Sequence, residues 1–306
     1  MMAAALAVWA AAGLAASPQA VPPQEHRAFR SGIEVTSITA TVRDADGKLV
    51  QGLDRDAFEV FEDGEPQTIT QFTHDRVPVG LGVLLDISDS MFGRRIQDAR
   101  AAIDRFLFEL LDPGDEFFLL AFNHQPHLLT GWTSTPDPVR RALEGLRPSG
   151  GTAAYDAVLA ALPTLARRSR ERAALVLVSD GADTASNASL RDVHSALMRS
   201  DAFVYAVAID SAEPQPINTR VNVTALREVT DDSGGRTEVV HNGTELIDAT
   251  ARIADELNHQ YVLGYSSPRG ADGKYHSIRV RVRGTGYKVR ARNGYVAEPA
   301  GGRPSK

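Results

Sequence analysis

Cysteine is absent from the 306 residues, which excludes disulfide frameworks, thiolate zinc sites, iron–sulfur ligation and cysteine nucleophiles. Lysine is scarce. It supplies four of the 33 basic residues and arginine the rest, a skew read here as coding bias and not as function. Positive charge does not dominate either. A net charge of −6 and a pI near 5.8 exclude a nucleic-acid binder that relies on bulk positive charge. After the first 20 residues no stretch reaches the roughly 20 apolar residues that a spanning helix needs. No repeat at a period of roughly 20–50 residues is visible. What is present is the composition of a folded chain, 43% hydrophobic and 24% charged, which excludes a largely disordered protein. The length predicts one large domain plus a smaller one, with a core that needs no staples.

Residues 1–20 (MMAAALAVWAAAGLAASPQA) have the apolar core and small-residue end of a secretory signal, with cleavage expected around Ala16–Ala20. No Lys or Arg precedes Arg27, so the basic leading region of such a signal is missing. The expectation is an exported protein, periplasmic or extracellular. A cytoplasmic location follows if the segment is not a signal.

Three patterns divide the rest. Residues 33–76 alternate apolar and polar in short runs bounded by turn residues, as in IEVTSITATVRD at 33–44, LDRDAFEV at 53–60 and a third run at 67–72. That is the pattern of a small antiparallel β unit. From residue 78 to 258 the character changes. Continuous apolar runs such as VGLGVLL (79–85), AALVLVS (173–179) and FVYAVAI (203–209) read as strands buried on both faces. They alternate with helical periodicity at 94–111, 136–146, 153–168, 190–200, 221–233 and 244–257. This predicts an α/β domain with a doubly wound, mainly parallel sheet. Residues 259–298 return to strand alternation with DGK and RGTG turns. Arg279, Arg281, Arg283, Arg290 and Arg292 fall on alternate positions there, and the simplest reading is a solvated strand face. The tail at 299–306 reads as disordered.

The chemistry concentrates at strand ends. The run at 79–85 leads into Asp86-Ile87-Ser88-Asp89-Ser90, and in an α/β sheet the carboxyl ends of strands form the ligand edge. Two further loops can meet it, Ser149-Gly150-Gly151-Thr152 and Ser179-Asp180-Gly181. The donors are then Asp86, Ser88, Ser90, Thr152 and Asp180, all oxygen. Hard oxygens in near-octahedral number suit Mg²⁺ or Mn²⁺ better than zinc or copper. A mostly neutral set leaves charge on the cation to attract an outside carboxylate.

Asp86-x-Ser88-x-Ser90, Thr152 and Asp180, in that order, resemble the metal-ion-dependent adhesion site (MIDAS) of von Willebrand factor A (VWFA) domains. The resemblance covers about residues 78–258, and DPGDEFFLLAFN (112–123) and SGGTAAYDAV (149–158) agree with it. It implies that Ser88, Ser90 and Thr152 coordinate directly and that Asp86 and Asp180 act partly through water. It further implies a non-catalytic, cation-dependent protein-binding module that contacts an Asp or Glu of its partner through the loops around Ser88, Gly151 and Asp180. The flanks are similar to the ends of exported bacterial "VWFA-related" proteins. In that reading 33–76 pairs with 259–298 in a small β-sandwich into which the α/β domain is inserted. Two other readings stay open: an assembly or scaffolding factor working with an ATPase, and a metal-dependent hydrolase.

Other motifs carry less. His124 and His127 lie in a strand–loop context without an H-E-x-x-H helix. Ser88 and Ser90 lack a G-x-S-x-G flank. Gly150-Gly151-Thr152 lacks the lysine of a phosphate loop. Asp89 and Asp183 read as solvated neighbours. Asn187, Asn222 and Asn242 begin glycosylation sequons and read as unused.

Overall fold

A computed structural model describes residues 35–210, 221–270 and 272–297. The signal-like segment at 1–20 and the tail at 299–306 lie outside these residues. The elements run β1 Val35–Arg43, β2 Phe58–Glu62, β3 Glu65–Gln67, β4 Ile69–Thr73, β5 Val79–Asp86, α1 Arg94–Arg105, β6 Glu116–Phe122, β7 Pro126–Thr133, α2 Pro136–Gly145, α3 Ala154–Leu165 and β8 Arg172–Ser179. Then come α4 Leu190–Leu197, β9 Phe203–Ile209, α5 Val223–Ser233, β10 Thr237–Val240, α6 Gly243–Asn258, β11 Tyr261–Ser266, β12 Tyr275–Val282, β13 Lys288–Ala291 and β14 Gly294–Val296.

A six-stranded sheet in the order β10-β9-β8-β5-β6-β7 forms the centre. All its pairs are parallel except β6–β7. Every residue of β5, β8 and β9 is buried, so these strands carry apolar residues on both faces. One face packs on α1, α2 and α6 through Ile103, Val139 and Ile253. The other packs on α3, α4 and α5 through Val158, Leu197 and Val229. Gly82 is the close-packed point of β5. A Cβ there would stand 2.4 Å from Phe118 Cζ and 2.6 Å from Leu175 Cδ2, and packed interiors do not yield to that overlap cheaply. The expected helix at 94–111 is α1 followed by a π-helical turn, Phe106–Leu110, closed by the Leu111 N–H on the Phe106 carbonyl at 3.2 Å. No helix among the described residues is long and apolar enough to cross a membrane.

Two four-stranded sheets flank this centre, β13-β1-β11-β4 and β14-β12-β2-β3. Each combines strands from before and after the α/β region, as the sandwich reading expects. Both sheets contribute to one apolar core, with Ile38, Tyr261 and Leu263 from the first and Phe58, Val60 and Ile278 from the second. The single strand expected at 67–72 is instead two. β3 pairs with β2 and β4 with β11, so the chain leaves one sheet for the other at Thr68. β14 is a further short strand that the alternation at 287–292 does not reveal.

The arginine pattern also divides. Arg279, Arg281 and Arg283 are exposed, as a solvated face requires. Arg290 and Arg292 are not on it. Arg290 binds buried Glu256 of α6, and Arg292 donates from Nε to the Gly294 carbonyl at 2.9 Å. Arg290 turns inward because β13 lies at the edge of its sheet, where it meets the α/β elements.

A titratable staple ties β12 to the turn after β2. Buried His276 meets Asp63 through Nδ1 at 2.8 Å and Asp272 through Nε2 at 3.0 Å. The Asp63 hydrogen bond raises the imidazole above its ordinary 6.5, against burial, which lowers it. Asp63, held chiefly by His276, and Asp272, held first by the Lys274 N–H and then by His276, both fall below 3.8. The imidazolium therefore stabilises the fold fully below about pH 6.5 and loses that contribution as pH rises through its raised pKa. The carboxylates contribute above about pH 3.8 and lose it as pH falls through their lowered values. In thermal melts the parent should exceed His276→Gln between these limits, with the gap closing on the alkaline side. A gap independent of pH between 5 and 9 would contradict the assignment.

Candidate functional site

Strand order reverses at β5. The chain continues to β6 on one side and later fills β8, β9 and β10 on the other, which opens a crevice at the carboxyl ends of β5 and β8. Asp86 is the last residue of β5, and Asp180 directly follows β8. The Asp115 carboxylate fixes the far end of β5 by accepting the Val79 N–H at 2.8 Å.

The side chains at the crevice form a continuous oxygen chain. Asp86 Oδ2 accepts the Ser179 hydroxyl at 2.5 Å, and Oδ1 accepts the Ser88 N–H at 2.8 Å. The Ser88 and Ser90 hydroxyls lie 2.9 Å apart. Ser90 Oγ donates to Asp180 Oδ1 at 2.6 Å. Asp86, Ser88 and Asp180 are at most 2% exposed. Burial pushes the Asp86 carboxyl up to about 7, against the hydrogen bonds from Ser179 and Ser88 that lower it.

The glycine loop is tied to this chain through its backbone. Ser149 N–H donates to the Ile87 carbonyl at 2.8 Å, and Asp89 N–H to the Gly150 carbonyl at 2.9 Å. Gly150 takes a φ of +79° against His124, a backbone shape that suits glycine. Thr152 is 4% exposed, and its backbone N–H donates to Thr184 Oγ1 at 3.1 Å. Among the described residues no hydrogen bond joins its hydroxyl to Asp86, Ser88, Ser90 or Asp180. The structure thus links four of the five expected residues directly and holds the fifth on an adjoining loop.

Of the two acidic neighbours, one differs from its sequence reading. Asp89 is exposed, as expected. Asp183 is not simply solvated. It accepts the Tyr155 N–H at 3.0 Å, at the start of α3, and the Ser186 hydroxyl at 2.6 Å. It ties the loop after β8 to that helix. Arg95, in the first turn of α1, is a functional candidate that no motif announced. Its guanidinium donates to the Ser90 carbonyl at 2.6 Å and stands 3.5 Å from Asp180 Oδ2. A single basic residue at a helix start carries no pattern that sequence reading could use. Asn222 and Asn242 cap α5 and α6, accepting the Ala225 and Glu245 N–H groups, which accounts for two of the three sequons.

The donor set is all oxygen, anionic at two positions and hydroxylic at the others. Such a set fits a hard divalent cation. Asp86, with a charge that burial opposes, is the group that gains most from one.

Residues 81–182 match the family model of the von Willebrand factor type A domain. The chain is 23% identical over 237 residues to human inter-alpha-trypsin inhibitor heavy chain H4, an overlap of 70% of this chain and 25% of that one. It thus spans about a quarter of the length of that relative. Among solved structures it is similar to the von Willebrand factor type A protein from Catenulispora acidiphila, with a TM-score of 0.52 at 11% identity, covering 89% of this chain and 76% of that one. It is also similar to proximal thread matrix protein 1 of the mussel byssus, described with a zinc-occupied MIDAS motif. There the TM-score is 0.51 at 14% identity, covering 64% of this chain and 49% of that one. At these identities the structural likenesses speak to the fold: an α/β core of the von Willebrand factor type A kind.

Proposed function

We propose that the von Willebrand factor type A domain of this chain is a non-catalytic binding module that holds Mg²⁺ or Mn²⁺ and presents it to an Asp or Glu of a protein partner. Asp86, Ser88, Ser90 and Asp180 would hold the cation, with Thr152 supplied from the adjoining loop. When bound, the cation supplies a positive charge that neutral hydroxyls do not cancel, and a partner carboxylate completes its shell.

The observation that carries this reading is the oxygen chain from Asp86 to Asp180, with Ser88 and Ser90 2.9 Å apart and Ser90 2.6 Å from Asp180. Four of the five oxygen-bearing residues are linked at the switch point of the sheet, and Thr152 stands on the adjoining loop. The mussel protein of similar fold is described with a zinc-occupied MIDAS motif, which supports a cation-binding reading. Hydrolysis has less support. The Ser88 and Ser90 hydroxyls partner each other and Asp180, with no histidine bonded to them among the described residues, and a serine nucleophile needs such a base. The signal-like segment at 1–20 supports export as the setting.

Calorimetric titration of Mg²⁺ and Mn²⁺ into the full chain tests the reading, with Thr152→Ala alongside. The parent should bind one cation and the variant should bind it about tenfold or more weakly, at least the scale of losing an outer-shell partner of a metal site. A parent that takes up neither ion, with or without a soluble carboxylate such as acetate, overturns it.

A further inference from the structure

The sandwich leaves the edge of β12 open past β14, among the described residues. β14 pairs with β12 only over Tyr275–Ser277. Beyond Gly294, β12 has no strand on that side among the described residues. β13 is the last strand of the other sheet; among the described residues it pairs with β1 alone, and its outer side meets Gly234 and Gly235 after α5. Between β12 and β13 lies a cleft of about 540 Å³, lined by both, within the roughly 300–1,000 Å³ range of ligand sites.

The backbone of β12 shows which groups reach it. The Ser277 carbonyl accepts the Asp63 N–H, and the Arg283 N–H donates to Ala57, so odd-numbered residues bond toward β2. The Ile278 N–H donates to Asn293, so even-numbered residues bond toward the opposite edge. Val280 and Val282 therefore turn their N–H and C=O groups to the cleft, past the end of β14. Side chains alternate the other way across the sheet. Val280 and Val282 pack on the sandwich core, while Arg279 and Arg281 stand exposed on the outer face.

The charge at this edge is of one sign. Arg279, Arg281 and Arg292 line the cleft, and no acidic residue does among the described residues. Arg281 lies over the Phe61 ring at 5.3 Å, which holds its guanidinium in place. The nearby acids are engaged elsewhere. Glu59 pairs with Arg283 at 3.0 Å, Asp63 with His276 at 2.8 Å, and Asp232 with His194 at 2.8 Å.

We propose that this cleft is a second binding site, separate from the cation site, which takes an extended acidic segment of a partner protein as an added strand on the open edge of β12. Strand addition uses the backbone edge for affinity and alternate side chains for specificity. The alternation here specifies the segment. Residues facing inward meet Val280 and Val289 and are apolar. Those facing outward lie beside Arg279 and Arg281 and are acidic, because opposite charges across strands attract.

A fluorescein-labelled nine-residue peptide of alternating glutamate and valine tests this against the full chain by anisotropy, with a lysine–valine counterpart as control. The glutamate peptide should bind in EDTA as well as in Mg²⁺, and the lysine peptide should not. The exposed double variant Arg279→Glu/Arg281→Glu should weaken the glutamate peptide at least tenfold and gain binding to the lysine peptide. N-methylation of alternate peptide amides should abolish binding, because it removes the edge hydrogen bonds. The proposal is overturned if the glutamate peptide does not bind at 1 mM, binds the double variant equally, survives N-methylation, or needs Mg²⁺. The last result would put the peptide at the cation site. Arginines that merely shield the edge from self-pairing give the first of these outcomes.

Discussion

Glu256→Ala should lower the unfolding free energy by about 3–5 kcal/mol, the scale for removing one partner of a buried ion cluster. Glu256, near the end of α6, is fully buried. Its carboxylate binds Arg290 of β13, Arg43 of β1 at 2.9 Å and Arg236 at 3.4 Å. It also accepts the Tyr205 hydroxyl of β9 at 3.0 Å and the Thr41 hydroxyl of β1 at 3.3 Å. Burial alone would raise its pKa, but the charges of Arg290 and Arg236 and the Arg43 hydrogen bond outweigh it and hold the group below 4.5. The charge is therefore kept at neutral pH and is lost, with its stabilisation, only as pH falls through the lowered value. Alanine leaves three guanidinium groups facing one another around a void. Glu256→Gln keeps the shape and loses the charge, so it should fall between parent and alanine. Urea denaturation at pH 7 checks both, and a loss under about 1 kcal/mol for alanine would show that the arginines find water instead. The cluster joins the last helix of the α/β core to two strands of the sandwich. Its loss should therefore loosen that junction before either core.

Asp86→Ala should remove cation binding while costing the cation-free protein little. The carboxylate holds the Ser179 hydroxyl and the Ser88 N–H, and orphaning those donors costs roughly 1–3 kcal/mol each. Opposing this, burial pushes the same carboxyl up to about 7, so the variant also discards a charge the fold disfavours. The decisive readout is the response to cation. A parent in Mg²⁺ at a hundredfold its dissociation constant should gain about 2.7 kcal/mol, and Asp86→Ala should gain none. Arg95→Gln should act oppositely. Its guanidinium stands 3.5 Å from Asp180 Oδ2 and repels a cation placed beside that carboxylate. Its removal should tighten binding by about tenfold, or ~1.4 kcal/mol. Equal Mg²⁺ stabilisation of the parent and Asp86→Ala would place any bound cation elsewhere.

The sequence announced much of this site because its residues sit at the ends of elements whose type is locally encoded. The run at 79–85 needs burial on both faces, and β5 is a central strand with no exposed residue. The positions of Asp86 and Asp180 at strand ends follow from where two apolar runs stop. Arg95 could not be read in the same way. Its role depends on the first turn of α1 lying across the mouth of the crevice, which only the packing of α1 on the sheet arranges. The outcome for Asp183 has the same origin. Whether an acid in a loop is solvated or caps a neighbouring helix depends on where α3 begins relative to that loop in space.

The sandwich shows the division more sharply. Alternation, a property of each strand alone, fixed the existence of strands near 35–43, 58–62, 261–266 and 275–282, and the apolar runs with their intervening helices fixed an α/β core between them. Register and partner choice are long-range. They decided that β3 and β4 part at Thr68, that β14 begins only at Gly294, and that Arg290 turns inward to Glu256 while Arg279 stays in water. Period-two patterning tells which residues share a face. It cannot tell which face meets another element, because that depends on surface supplied by residues some two hundred positions away, as with Arg43 and Glu256.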